Sequence, residues 1–366
     1  MPKRLIRYAV VGCGHIAQVA VLPAFANARR NSKLVAIVSG DPEKREALKK
    51  KYELERAVDY SEYDALLKSG DIDAVYIALP NSMHAEYGDR AARAGVHVLC
   101  EKPMAVTETE CELMIRAARE HNVKLMIGYR LHFERANLEA VEIARSGRIG
   151  EPRLFTSSFT MTVVPDNIRV KRALGGGTLY DIGVYCINAA RALFRDEPTE
   201  VRAAATGAIG DVEESVSAIL RFPNERLAAF ICSFGATKVS EYRLVGTKGE
   251  LAVDPAYEYA KALEHRLSLD GNLVSERRFA KRDQFAPELL YFSDCVLQNR
   301  DPEPSGEEGL ADVRVIRALY RSIEGDRPVE LPPYQRRERP SLEQEIRRPP
   351  IEKPELIHAQ APSGGN

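Results

Sequence analysis

Leu5-Ile6-Arg7-Tyr8-Ala9-Val10-Val11-Gly12-Cys13-Gly14-His15-Ile16-Ala17 is an apolar, β-branched run that breaks into a glycine-spaced turn. The run predicts a strand over Leu5–Gly12, and the residues beyond it a helix to about Ala28. In that strand-to-helix setting the spacing G-x-G-x-x-G/A has a physical purpose. Gly12 permits the tight turn. Gly14 lets a dinucleotide pyrophosphate reach backbone N–H groups at the helix start, His15 and Ile16 among them, and Ala17 lets helix and strand pack closely. Glycines that only turn the chain would look the same in isolation, but these lie inside a complete β-α-β unit.

Downstream the texture repeats. Strand-like runs at Leu34–Ser39, Ala74–Leu79, His97–Glu101 and Lys124–Gly128 alternate with amphipathic stretches at Glu43–Tyr52, Tyr63–Ser69, His84–Ala94 and Glu108–Glu120. This cadence predicts an α/β Rossmann domain, a doubly wound parallel sheet, over residues 1–128. Right-handed crossovers put the loops after the strands on one edge, where ligands bind. The end of the second strand reports on the ribose, because an acidic residue there binds the 2′-hydroxyl of NAD and repels a 2′-phosphate. Ser39-Gly40 occupies that place, and Asp41-Pro42 has the form of an N-cap with proline in the first turn. Lys44 and Arg45 fall in the same turn, where the macrodipole disfavours cations unless a bound 2′-phosphate reverses the penalty. A solvated basic pair is the plain alternative; the expected cofactor is NADP, with NAD possible.

After Arg130 the pattern changes. A helix from about Glu134 to Ser146 and a strand around Leu154–Val163 lead through a glycine-rich turn to a helix near Thr178. Alternating segments follow at Glu200–Thr206, Ser215–Phe222, Leu227–Phe234 and Tyr242–Val253. Ala228, Phe230, Cys232 and Phe234 make one strand face wholly apolar, the mark of antiparallel strands with one covered side. Helices or a second copy of the chain would cover it. Helical patterns at Phe285–Gln298 and Glu308–Glu324 close an α+β domain over residues 129–334. Residues 335–366 are Pro-rich and charged, without periodicity, and predict an extended tail.

Bulk composition narrows the partners. A chain of 366 residues fits two domains, each able to bury a core. Lys plus Arg total 52 against 53 Asp plus Glu, so there is no basic field for nucleic acid. No apolar stretch approaches the roughly 18 residues of a membrane span, and the apolar run near the start is too short for a signal peptide. A small-molecule partner and a cytoplasmic location are expected. Cys13, Cys100, Cys111, Cys186, Cys232 and Cys295 show no C-x-x-C and no histidine at ligand spacing, which argues against a metal and against a disulfide framework. Cys100, beside Glu101 and Lys102, fits a small buried hydrophobe better than a reactive thiol.

Two stretches offer chemistry. Glu101-Lys102-Pro103 ends a strand on the edge of the glycine loop, from which the Lys102 ammonium reaches toward a nicotinamide pocket; a plain surface lysine is the alternative. Gly175-Gly176-Gly177-Thr178-Leu179-Tyr180-Asp181-Ile182-Gly183-Val184-Tyr185 puts Asp181 and Tyr185 four residues apart on one helix face. A capping box with Thr178 would by itself account for Asp181. It does not account for three successive glycines or for Gly183 inside the helix, which imply that something comes close to the backbone.

Gly12-x-Gly14-x-x-Ala17, Pro80-Asn81-x-x-His84, Glu101-Lys102-Pro103 and the Gly175–Tyr185 stretch, in this order and spacing, resemble the Gfo/Idh/MocA oxidoreductase family. Ile127-Gly128-Tyr129-Arg130 with His132-Phe133, and Tyr185 where many relatives carry His, resemble its glucose-fructose oxidoreductase branch. The likeness spans about residues 5–330. It implies a Rossmann domain followed by an α+β domain with a large, mostly antiparallel sheet used for homodimer or homotetramer contacts. It implies a cofactor site that takes in Leu79, Pro80, Asn81, His84, Glu101 and Lys102, and a substrate site of Lys102, Arg130, Asp181 and Tyr185. In that branch Ser-Gly with a basic residue soon after goes with NADP, as Ser39, Gly40 and Lys44 do here. The glucose-fructose enzymes carry an amino-terminal arm that helps to retain the cofactor; with a first strand starting near Leu5, an exchangeable cofactor is expected instead.

The reaction so implied is hydride transfer between nicotinamide and a hydroxyl or carbonyl of a sugar-like substrate, with Tyr185 moving the proton and Asp181 orienting the sugar. A free phenol titrates near 10, so a base at neutrality needs about three units of depression, roughly 4 kcal/mol. One ammonium about 4 Å away at an effective dielectric near 20 supplies about that much, and Lys102 is the expected source. A dihydrodiol-type or imine-type NADP reductase is the runner-up. The rival from another class is a non-catalytic, dinucleotide-binding regulator of a sugar pathway, which has no need of a Lys102–Tyr185 pair.

Overall fold

The structure is a computed structural model that describes residues 4–336 and 338–363. Residues 1–3, 337 and 364–366, which belong to the expected Rossmann and tail segments, lie outside the described residues. Six parallel strands, β1 (Ile6–Val11), β2 (Ser32–Val38), β3 (Arg56–Val58), β4 (Ala74–Ile77), β5 (His97–Glu101) and β6 (Leu125–Gly128), lie in the order β3-β2-β1-β4-β5-β6. Such a sheet is covered on both faces, which is why β4 and the end of β1 are apolar runs without alternation. Crossover helices at Pro42–Lys51, Tyr63–Lys68, His84–Arg93 and Glu108–Glu120 supply the cover. Asp41 caps the first of these by accepting the Lys44 N–H at 2.9 Å, as its sequence setting implied. The strand order reverses between β1 and β4, so the loops after them flank the crevice where sheets of this kind take ligands. β3 escapes a sequence reading because three residues show no period.

The second sheet has nine strands in the order β14-β13-β12-β11-β7-β10-β9-β8-β15. They are β7 (Pro152–Thr162), β8 (Glu200–Ile209), β9 (Val212–Phe222), β10 (Arg226–Ser233), β11 (Gly235–Gly246), β12 (Gly249–Val253), β13 (Leu263–Leu269), β14 (Asn272–Phe279) and β15 (Val329–Glu330). Only β7 and β10 run parallel; every other adjacent pair is antiparallel. The single segment expected over Tyr242–Val253 is two strands, folded so that Val245 faces Glu250. The β13–β14 hairpin was not anticipated, although Asp270-Gly271 between them is a recognised hairpin turn signal.

Ala228, Phe230, Cys232 and Phe234 are buried, and the helix Val184–Phe194 lies against this face. A Cβ added at Gly183 would stand 3.4 Å from Cys232 Sγ, so the glycine inside the helical pattern marks a close helix–sheet approach. The opposite face exposes Leu154, Ile219, Leu227 and Ile231, with Leu154 and Leu227 directly paired across β7 and β10.

The compact units are not consecutive stretches of chain. One comprises the residues up to Arg130, Asp283–Leu310 and those from Arg347 on; the other comprises Leu131–Arg282 and Ala311–Ile346. The helix Ala286–Gln298, placed by sequence order in the second domain, therefore packs with the first sheet. Ser293 Oγ lies 2.7 Å from Tyr8 Oη and 2.8 Å from Ser32 Oγ, and Asn31 Nδ2 donates to Leu290 O at 2.8 Å. Amphipathic periodicity shows that such a helix has an apolar face but not which sheet receives it. No helix among the described residues is long and apolar enough to cross a membrane.

One buried ion network holds the second unit. Arg191, 0% exposed, gives Nε and Nη2 to Glu197 at 2.7 and 2.9 Å and Nη1 to Asp312 at 2.5 Å, while Arg339 adds a 2.7 Å contact to Glu197. Removing one partner leaves buried charge uncompensated. Arg191→Met is expected to lower stability by about 3–5 kcal/mol in urea unfolding; a loss below about 1 kcal/mol would show that the network adds little.

Candidate active site

Gly12 ends β1 with φ +91°, and its N–H donates to Val38 O at 3.0 Å. A Cβ here would stand 2.6 Å from Ala78 O, so only glycine fits. Gly14 differs: it is exposed, and a Cβ added to it would meet nothing within 4 Å. The backbone before the helix therefore faces open space, the cradle that a pyrophosphate needs. His15 and Ile16 enter the helix, Ala17 is fully buried, and Ala17–Val21 is a π-helical turn, a form that concentrates at functional sites. These residues fit a dinucleotide.

At the ribose end, Ser39 is buried and its carbonyl accepts Arg45 Nη1 at 2.6 Å. The same Nη1 lies 2.8 Å from Asp59 Oδ2, so Arg45, which the sequence assigned to a 2′-phosphate, braces this turn with its charge balanced by Asp59. A Cβ added at Gly40 would stand 3.4 Å from the Tyr60 ring. Lys44, half-buried, forms no ion pair among the described residues.

Leu79, Pro80 and Asn81 follow β4. His84, fully buried, sets Nε2 2.9 Å from Leu79 O and Nδ1 2.9 Å from Pro103 O. Both ring nitrogens thus face backbone, and burial lowers the imidazole pKa. His84 ties the loop after β4 to the loop after β5, beside the cofactor site that the resemblance implied for it.

Lys102 is half-buried at the end of β5. Behind it lies a cluster that the sequence did not disclose. Tyr76 Oη is 2.7 Å from Glu101 Oε1 and 3.4 Å from Glu288 Oε2, all three side chains being buried. Burial raises both carboxyl pKa values, Glu288 well above the carboxylate range with the Glu101 charge adding to the effect; Lys102 and Arg130 act in the opposite direction on Glu101. Arg130, buried, donates to the Gln284 side-chain amide oxygen Oε1. A carboxylate within the apolar run Ala286-Pro287-Glu288-Leu289-Leu290 was the available signal for Glu288. Cys100 is buried and its thiol pKa is pushed well up by desolvation, so it is no nucleophile.

In the second unit, Asp181 and Tyr185 stand on a π-helical turn (Leu179–Gly183) and the helix that continues it. Asp181 Oδ2 pairs with Arg169 Nε at 2.8 Å, both partners mostly buried. The capping box is not formed: Thr178 Oγ1 donates to Glu213 O at 2.7 Å, and its N–H to Glu213 Oε1 at 2.8 Å. Protein groups account for the glycine run. Gly175 has φ +75° and Gly177 φ +144°, while a Cβ on Gly176 would overlap the Arg169 carbonyl and one on Gly177 the Tyr320 hydroxyl. Tyr185 packs its ring on Phe159 and Tyr257, with centroids 5.5 and 5.8 Å away. His132, by contrast, is turned to Asn188 at 2.8 Å, and Phe133 is core. Arg169 gave no sequence signal, since nothing periodic surrounds it.

The two loop glycines should separate on substitution. Gly12→Ala is expected to destabilise the fold by about 1–3 kcal/mol, since it adds a Cβ at positive φ against a carbonyl. Gly14→Val should leave unfolding nearly unchanged and weaken dinucleotide binding more than tenfold, as read by titration; normal binding would remove Gly14 from the cradle.

Residues 6–129 match the family model described as an oxidoreductase family with an NAD-binding Rossmann fold, and residues 137–252 match the Gfo/Idh/MocA C-terminal domain. The chain is 33% identical over 341 residues to the NADP(+)-dependent D-xylose 1-dehydrogenase of Haloarcula marismortui, covering 89% of this chain and 93% of that one. Among solved structures it is similar to the aldose-aldose oxidoreductase from Caulobacter crescentus complexed with glycerol, with a TM-score of 0.84 and 37% identity over 90% of this chain and 100% of that one. It is also similar to a 3-ketoreductase from Actinomadura kijaniata in complex with NADP and TDP-benzene, with a TM-score of 0.81 and 29% identity over 87% and 98% of the two chains. With the glycine cradle, the Glu101-Lys102-Pro103 strand end and both family models in register on one chain, the protein belongs to the Gfo/Idh/MocA oxidoreductase family.

Proposed function

We propose that this protein is an NADP(H)-dependent oxidoreductase acting on a hydroxyl or carbonyl of a sugar or sugar-derived substrate, in the manner of an aldose dehydrogenase. The observation that carries it is the placing of an open Gly14 cradle and Lys102 on the same edge of one parallel sheet, at the carboxyl ends of β1 and β5. The named activities of the relatives, on xylose, on aldoses and on a keto-sugar nucleotide, point to the same substrate class. NADP, when bound, accepts or returns a hydride at its nicotinamide.

The chain's own residues do the rest. Gly12, Gly14, His15, Ile16 and Ala17 take the phosphates at the helix start. Ser39, Gly40 and Lys44 receive the ribose end, and Arg45 shapes that turn. Leu79, Pro80, Asn81 and Glu101 line the nicotinamide side, with His84 as the brace behind them. The Lys102 ammonium favours a developing alkoxide on the substrate, and Tyr185 carries the proton to or from that oxygen. Asp181, oriented by Arg169, accepts from a neighbouring sugar hydroxyl. Arg130 acts through Glu101, within whose field it lies. The first unit thus serves the cofactor and supplies Lys102 to the substrate, and the second supplies Asp181 and Tyr185.

Purified protein given NADP⁺ or NAD⁺ with glucose, xylose, other aldoses and a trans-dihydrodiol should reduce the nicotinamide with an aldose, faster with NADP⁺. Tyr185→Phe should lower kcat by about 10²- to 10⁴-fold with cofactor affinity unchanged. Silence in both directions despite cofactor binding would favour the regulator.

The exposed face carrying Leu154, Ile219, Leu227 and Ile231 supports a second proposal, a homo-oligomer in which another copy covers this sheet. Ile231→Glu should then shift the mass measured by light scattering to that of the monomer; an unchanged mass would place the contact elsewhere. Six buried free thiols and NADP chemistry are consistent with a cytoplasmic setting.

A further inference from the structure

The segment expected to be an extended tail is tied to the cofactor loop. From Arg347 on, its path is set by contacts within the first unit. Arg348 Nε donates to Asn27 O at 3.1 Å, Asn27 Nδ2 donates to Pro349 O at 2.9 Å, and Lys51 Nζ donates to Glu355 O at 3.0 Å. Gln18, 1% exposed on the turn that follows the glycine loop, then holds Ile357 by both backbone groups. Its Oε1 accepts the Ile357 N–H at 2.8 Å, and its Nε2 donates to Ile357 O at 2.8 Å and to Cys13 O, inside the loop, at 2.9 Å. The next residue, His358, sets Nδ1 2.9 Å from Asp41 Oδ2 and Nε2 3.6 Å from Glu43 Oε2.

Two consecutive residues therefore join the phosphate loop to the turn that reports on the ribose. A buried amide with its donor and acceptor both engaged by one residue is a built contact, since either half left unmade would leave a buried polar group unsatisfied. The contact also changes what Asp41 can do. One carboxylate oxygen caps the helix through the Lys44 N–H and the other is engaged by His358, so both oxygens of the acidic group nearest the ribose position already have partners. These two hydrogen bonds, the backbone one first, hold the Asp41 carboxyl below its usual range. The matched family regions, residues 6–129 and 137–252, do not reach this segment.

We propose that Ile357–His358 is a clasp for the bound dinucleotide: it fastens the phosphate loop to the ribose turn, slows cofactor release, and keeps Asp41 from serving a 2′-hydroxyl, which favours NADP over NAD. The clasp rests on the assignment of NADP above and refines the site at its adenosine end. It does for this chain, from a distant stretch, what an exchangeable open site lacks.

The test follows the fluorescence of NADPH bound to the intact chain while excess NADP⁺ displaces it. Deleting residues 355–366, or introducing Ile357→Pro in the full chain to remove the N–H that Gln18 accepts, should speed release about tenfold or more. His358→Ala should lower the NADPH-to-NADH affinity ratio about tenfold. Release unchanged in both the deletion and Ile357→Pro, or tighter binding on deletion, which would make the segment a competitor for the site, overturns the clasp while leaving the cofactor assignment standing. An intact chain that binds neither dinucleotide overturns both.

Discussion

A methyl group at position 12 would stand 2.6 Å from the carbonyl oxygen of Ala78, and the rest of the cofactor site depends on that closeness. β1 and β4 are neighbours at the point where the sheet reverses its order, so the chain leaving β1 must turn at once beside the chain leaving β4. Glycine at φ +91° allows it. The turn then presents Gly14 to open space, starts a π-helical turn at Ala17, and brings the Gln18 amide onto the Cys13 carbonyl that the turn would otherwise leave without a partner. One steric constraint thus produces the cradle and the anchor for the segment at Ile357.

Buried charge is handled in two ways. In the first unit, Glu101 and Glu288 both lie within reach of the Tyr76 hydroxyl, and burial raises the pKa of each, Glu288 more strongly with the Glu101 charge adding to the effect. In the second, Arg191 is fully buried between Glu197 and Asp312, its guanidinium donating to both carboxylates. The difference follows from the partners: two like charges cannot both stay ionised in a dry site, whereas an arginine fork between two carboxylates satisfies both.

Local signals were legible where a residue's task is local. The G-x-G-x-x-A spacing, the Asp41 cap and the strand His97–Glu101 are each decided within a few residues, and each stands where the sequence put it. Asp181 was ambiguous because a capping box and a ligand contact ask for the same residue at the same spacing; the structure gives it to Arg169, a residue in an aperiodic loop. His84 was ambiguous for a related reason. A histidine close to a site looks the same in sequence whether its nitrogens meet a ligand or two backbone carbonyls.

By itself the sequence determined the parallel sheet, its glycine turn, the strand end that carries Lys102 and the antiparallel sheet with one apolar face, because period and turn chemistry are properties of neighbours along the chain. Only the tertiary structure decided that the helix Ala286–Gln298 returns to the first sheet and brings Glu288 to the Tyr76 hydroxyl that Glu101 also meets, that Arg169 reaches Asp181, and that Ile357 and His358 close on Gln18 and Asp41 across more than 300 residues. Those pairings are chosen by which surfaces bury each other's apolar area and satisfy each other's hydrogen bonds, and neither quantity is written in the spacing of residues along one strand or helix.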